Sequence, residues 1–217
     1  MTPKTTSLPE AVYDALRECI VTVQEPPGSL LTETAIAVRY GVARPTAKAA
    51  LERLVSEGLL NRRPHHAAQV PKLSRDDIDD LYFSRAIIEE AALRNLARTA
   101  TIPPAALRVH QELLGYAHAD DSAPFVRADV AFHRALVLGQ PSARLARMHT
   151  LIMGEIELCI GQVQSHRLLK ANEVAKQHQG ILDAVEAGNV EQAGRLTRLH
   201  IEGARDKLLS RVDETPH

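Results

Sequence analysis

Leu31-Thr32-Glu33-Thr34-Ala35-Ile36-Ala37-Val38-Arg39-Tyr40-Gly41-Val42-Ala43-Arg44-Pro45-Thr46-Ala47-Lys48-Ala49-Ala50-Leu51 is the stretch that decides the fold of the N-terminal third. Leu31-Thr32 opens a short helix, with Thr32 as N-cap and Glu33 favourable in its first turn. Gly41 stops it after Arg39-Tyr40. A further helix starts at Ala43 or Arg44 and runs through Ala47, Ala50, Leu51 and Leu54 to about Glu57. Two short helices joined by the turn Tyr40-Gly41-Val42 predict a helix-turn-helix.

The flanks agree. Before it, Val12, Ala15, Leu16, Cys19, Ile20 and Val23 have helical spacing, and Pro26-Pro27-Gly28 ends that run. After it, Gly58 breaks the helix. Leu59-Leu60-Asn61-Arg62-Arg63 reads as a strand, Pro64-His65-His66-Ala67 as a turn and Ala68-Gln69-Val70 as a second strand, which together predict a wing. A helix fits the major groove with its N-terminal side chains at the base edges. Arg44, Thr46 and Lys48 stand there, with Arg44 and Lys48 on one face. The wing offers Arg62, Arg63, His65, His66 and Gln69 for backbone or minor-groove contacts. A basic pair alone would be an ordinary solvated helix face; helix, turn, helix and basic wing in series favour DNA. A monomer of this kind covers too few base pairs for selectivity, so a homodimer on pseudo-palindromic operator DNA is expected.

Composition is permissive. The chain has 217 residues, 45% hydrophobic, with 3% aromatics and no Trp. Its core must be aliphatic, which suits helix packing. Net charge is −1 overall. Residues 1–72 hold nine basic against seven acidic groups, so charge alone argues poorly for nucleic acid. Cys19 and Cys159, each in an apolar helical stretch, read as buried reduced thiols. The absence of a basic-apolar leader and of any apolar run of membrane-spanning length implies a cytoplasmic chain with no membrane partner.

Beyond a linker at Pro71-Lys72-Leu73-Ser74, helices are expected near 75–99, 103–118, 124–138, 142–164, 171–187 and 190–210, with no strand pattern. The expected architecture is mainly α: residues 1–72 a winged helix-turn-helix with a small β-hairpin wing, residues 73–217 an all-α antiparallel bundle that dimerises. In that bundle Asp129 and His133 stand four apart on one helix. His178 and His200 flank the turn Gly188-Asn189 at nearly equal distances, which places them at one level of a helical hairpin, roughly 15 Å from the turn at about 1.5 Å per residue. One carboxylate and three imidazoles form a ligand set for a divalent transition metal such as zinc, nickel or manganese. An Asp/His pair by itself is usually a surface hydrogen bond; the matched heights make the case. His110, His118, His149 and His166 have no matched partner and read as solvated or capped.

Both parts resemble a known family. Pro27-Gly28-Ser29-Leu30-Leu31, Glu33, Tyr40-Gly41-Val42-Ala43-Arg44, Ala50-Leu51, Leu54 and Glu57-Gly58-Leu59 are similar to the GntR family of regulators over about residues 8–72. The family usually has Ser where Ala43 stands, Arg where Lys48 stands, and Gly where Ala67 stands; at Ala67 a left-handed turn would be less comfortable. Residues 75–210 resemble the FCD ligand-binding domain of the FadR branch, through Leu81-Tyr82, Arg85, Glu89, Asp129-Val130-Ala131-Phe132-His133, His178, Ile181, Ala184, Gly188-Asn189, Ala193 and His200. The resemblance implies a six-helix domain with the metal on Asp129, His133, His178 and His200, and an anionic small organic acid effector helped by Arg85. The spacing of Arg85 and Glu89 equally suits an ion pair along one helix. The resulting expectation is a transcription regulator, a repressor, controlled by a small carboxylate. The alternatives are a regulator for which the ion is the signal, and a metal-dependent enzyme acting on a small acid. The absence of a free base near the metal set, of a nucleophile triad and of a phosphate loop weighs against the enzyme.

Overall fold

In a computed structural model, residues 7–119, 122–162 and 170–214 are described. Helix α1 (Leu8–Val21) buries Val12, Tyr13, Leu16 and Ile20 on one stripe. Strand β1 (Leu30–Leu31) leads into α2 (Glu33–Tyr40). Thr32 caps α2, its hydroxyl oxygen accepting the Ala35 N–H at 3.1 Å. Gly41 ends it at φ 63°, where a side chain would be strained. Helix α3 (Arg44–Ser56) follows and buries Ala47, Ala50, Leu51 and Leu54.

The small sheet differs from expectation. Strand β2 (Ala68–Gln69) pairs antiparallel with β1, Leu30 opposite Gln69 and Leu31 opposite Ala68. The arm predicted as the first wing strand touches it only through one bridge, Asn61 with Gln69. Leu31 is thus a strand residue rather than the start of α2. The turn at Pro27-Gly28 sends the chain back along 68–69, and Leu31 is buried there. Within the wing the left-handed residue is His65, at φ 62°, and not Ala67.

Ser74 and Asp77 form a reciprocal capping box at the head of α4 (Arg75–Arg98). Helices α5 (Pro104–Ala119), α6 (Ser122–Leu138), α7 (Ala143–Gln162), α8 (Ala171–Glu186) and α9 (Val190–Glu214) complete the bundle. Helix α4 packs along α9, and α5–α6 and α8–α9 form hairpins. The turn of the second hairpin holds Gly188 at φ 68°. Phe132, Leu93, Leu96, Ile181 and Val185 belong to one aliphatic core of the bundle. Leu158 of α7 instead joins the core of α1 and α3. Of the two thiols Cys159 is buried, its pKa pushed up to about 12 by that burial, while Cys19 is only partly covered. No helix among the described residues is long and apolar enough to cross a membrane.

Candidate metal centre and nucleic-acid interface

Asp129 and His133 project from α6, His178 from α8 and His200 from α9. One ligand atom from each lies within 4.8 Å of every other. His200 Nε2 is 3.2 Å from His133 Nε2 and 3.2 Å from His178 Nε2. Asp129 Oδ1 is 3.4 Å from His178 Nε2 and 4.0 Å from His133 Nε2.

The outer nitrogens show what the inner ones offer. Glu89 accepts from His133 Nδ1 at 2.6 Å, and Gln177 Oε1 accepts from His200 Nδ1 at 2.8 Å. With those protons outward, His133 and His200 turn their Nε2 atoms toward each other. Burial above all, with neighbouring imidazoles second, holds His178 and His200 well below the usual histidine range, so neither readily supplies a proton. Asp129 Oδ1 is buried without a hydrogen-bond partner, and burial pushes its carboxyl up. A divalent cation at the centre would satisfy all of these groups together. Nitrogens sharing such an ion at about 2.0–2.1 Å stand roughly 3.0–3.4 Å apart, so the 3.2 Å spacings fit.

Around these four lies a shell that sequence spacing did not connect. Glu89 is fully buried and accepts from Arg85 Nε at 2.7 Å, from His133 and from His149 Nε2 at 3.0 Å. Arg85 first, then His133, hold its carboxyl well below the usual range against the cost of burial. His149 is therefore a buried partner of Glu89 rather than a solvated residue. His110 is also buried, 3.2 Å from Gln179 Oε1, beside Phe132 and His178. His166 and the side chain of His118 lie outside the described residues. Arg85 makes the ion pair that its spacing allowed, yet its Nη2 stays unpartnered. It lines a cavity of about 170 Å³ together with Tyr82, Asp129, Gln177, His200 and Lys207.

The second constellation is a groove between α3 and the wing. Arg44, Lys48, Arg62, His65 and His66 line it, with Thr32 and Thr34 from the start of α2. Arg44 and Lys48 are exposed, and Thr46 is half-buried on the same helix. Arg63 is exposed on the wing turn, outside this lining. Two acids temper the charge: Glu52 lies 3.6 Å from Lys48, and Glu33 3.6 Å from Arg62. Gln69 is committed to the fold, its Nε2 donating to the Gly28 carbonyl at 3.0 Å. Thr34 was not singled out in the sequence; its only signal was its place in the first turn of α2, where backbone N–H groups favour phosphate.

Comparison with known proteins identifies both parts of the chain. The family profile of bacterial regulatory proteins, gntR family, matches residues 8–70, and the FCD domain profile matches residues 80–203. A helix-turn-helix transcriptional regulator from an unstable DNA locus of Streptomyces ambofaciens is 27% identical over 205 residues, covering 91% of this chain and 83% of its own. A probable D-xylose utilization operon transcriptional repressor of Paenarthrobacter nicotinovorans is 27% identical over 177 residues, covering 81% and 77%. A crystal structure of a GntR regulator from Rhodococcus sp. RHA1 superposes with a TM-score of 0.76 at 24% identity, over 93% of this chain and 97% of the other.

Proposed function

Because the chain belongs to the GntR family of bacterial transcription regulators and carries an FCD domain, we propose that it is a repressor whose hold on operator DNA is set by a small carboxylate bound beside a divalent metal. The family and the relatives are regulators rather than enzymes, so the enzyme alternative falls away.

The reading divides the chain at residues 72 and 73. Residues 1–72 bind DNA. Arg44 and Lys48 enter the major groove, with Thr46 beside them, and Arg62, Arg63, His65 and His66 follow the phosphates. Residues 73–217 hold zinc, nickel or manganese on Asp129, His133, His178 and His200. A metal-bound carboxylate would stand in the cavity beside Asp129 and His200, where the free Nη2 of Arg85 gives it a second charge to meet. A cavity of about 170 Å³ suits a small acid. The observation that carries the reading is the convergence of three Nε2 atoms and an unpartnered carboxylate oxygen on one buried point next to that cavity. A homodimer in the cytoplasm completes it; Phe83 and Ile87 on α4 and Met148 and Leu151 on α7 are exposed large apolar residues for a second copy to cover.

The test is elemental analysis of the purified protein, followed by operator release against sugar acids, hydroxy acids and dicarboxylates. An acid that releases the operator from wild type should lose that effect in Asp129→Ala, while the variant still binds DNA. Release by the metal alone would instead make the ion the signal. A variant that responds like wild type would place the acid elsewhere.

A further inference from the structure

Helix α7 serves two neighbours. Near its start His149 bonds Glu89, the carboxylate that also holds His133. Farther along, its backbone lies against the ends of α3 and α1. A Cβ on Gly154 would overlap the Glu57 carbonyl oxygen, and one on Gly161 the Val21 carbonyl oxygen. Leu158, between them, is buried in the core of α1 and α3. The approach is close: the glycines admit the neighbouring backbone, and any larger residue would push it away.

Glu157 sits in the same segment and is buried. Its Oε2 accepts from Nη2 of Arg17 on α1. Its Oε1 lies 3.9 Å from Nη1 of Arg134 on α6, the residue after His133. Arg134 Nε and Nη2 are buried with no hydrogen-bond partner of their own, so Glu157 is the acid given to that guanidinium. One buried carboxylate is thus shared by a cation from the helix that carries Asp129 and His133 and a cation from the DNA-binding part. Such a group is strongly coupled to both partners, because removing either leaves charge in a poorly solvated place.

We propose that Arg134, Glu157 and Arg17 are the coupling through which the helical domain sets the pose of the recognition helix. Whatever fixes α6, ligation at Asp129 and His133 included, fixes Arg134 with it. The closer Arg134 stands to Glu157, the less of that carboxylate remains for Arg17, and α1 shifts against α7. Helix α3 packs on α1 and abuts α7 at Gly154, so it shifts too. The inference rests on the regulator reading but not on the metal.

A double-mutant cycle on operator affinity tests it, with the full chain and an operator selected in vitro. Arg134→Met keeps the aliphatic stem, and Glu157→Gln keeps the shape. Arg134→Met should change the operator Kd about fivefold or more, the lower end of ordinary allosteric coupling. The same substitution should change it less than twofold in a Glu157→Gln background. Arg134→Lys, which keeps the charge, should restore most of the wild-type affinity. A change under fivefold with Glu157 present, or an equal change in both backgrounds, overturns the proposal. Elemental analysis for zinc, nickel and manganese in the same samples separates the two readings. An intact cycle in protein that holds no zinc, nickel or manganese defeats the metal and supports the coupling; stoichiometric metal with no cycle does the reverse.

Discussion

His178 Nε2 lies 3.2 Å from His200 Nε2, although 22 positions and a helical turn separate the residues. Both rings are buried and held neutral, so the pair gains little as a hydrogen bond and much as two ligands. Replacing either with Ala should therefore lower bound metal and melting temperature together, because the ion ties α6, α8 and α9. Elemental analysis and thermal unfolding in the same buffers check this. Unchanged metal in both variants would remove the site.

Glu89 should behave as a residue that orients a ligand. It fixes the His133 ring through Nδ1 and is itself neutralised by Arg85. Glu89→Gln should weaken metal affinity about 10–100-fold, the usual effect of losing such a partner, without removing any ligand atom. Competition with a chelator of known affinity measures it. His149→Gln should act in the same direction through Glu89, so His149 cannot serve as an inert control. A residue far from the cluster, such as His66, can.

Helix limits and the level of His178 with His200 were legible because both follow from a period of 3.6 residues and a Gly-marked turn. Asp129 and His133 were legible for the same reason. Glu89 and His149 were not. They meet only because α4 packs against both α6 and α7, and nothing local to either residue encodes that packing. The spacing from Arg85 to Glu89 gave half of the answer, the ion pair, and not the two imidazoles. In the N-terminal part the helices could be read, but the pairing of Leu30–Leu31 with Ala68–Gln69 could not. A two-residue strand is too short to show alternation, and its partner is fixed by the turn at Pro27-Gly28 rather than by sequence neighbours.

Arg44→Ala and Gln69→Ala should separate base reading from architecture. Arg44 is exposed at the first turn of α3 and free to make a bidentate base contact, so its loss should cost about 1–3 kcal/mol of specific binding and relax preference at one position. Gln69 holds the Gly28 carbonyl, so Gln69→Ala should lower stability and leave sequence preference intact. Binding to randomised operators scores both. Full preference in Arg44→Ala would show that another element reads the bases.

The recognition helix starts without a cap. Ala43 has the extended backbone of an N-cap residue, φ −68° and ψ 147°, but no side chain to accept an N–H. Pro45 has no N–H to cap, and the Thr46 N–H already donates to the Ala43 carbonyl at 3.0 Å. Ala43→Ser should therefore stabilise the protein by less than an ordinary cap, under about 0.5 kcal/mol. Denaturant unfolding at one pH measures the difference. A gain of about 1 kcal/mol or more would mean that the new hydroxyl takes over the Thr46 N–H.

Glu157 makes a prediction in the opposite sense from an ordinary surface ion pair. Burial raises its pKa above the glutamate value of 4.5, and the pull of Arg134 and Arg17 the other way does not cancel that; nearby Glu57 adds to the rise. An acid with a raised folded-state pKa contributes its stability below the unfolded value and loses it as pH rises through the folded one. Near pH 4 the carboxyl is protonated in both states and Glu157→Gln should match wild type. Above about pH 4.5 the unfolded chain ionises first, so wild type should fall progressively behind the variant until the folded carboxyl has ionised as well. Melting curves of both proteins from pH 4 to 8 decide it. A variant that is less stable at pH 7 and equal at pH 4 would mean that the two guanidiniums more than offset the burial.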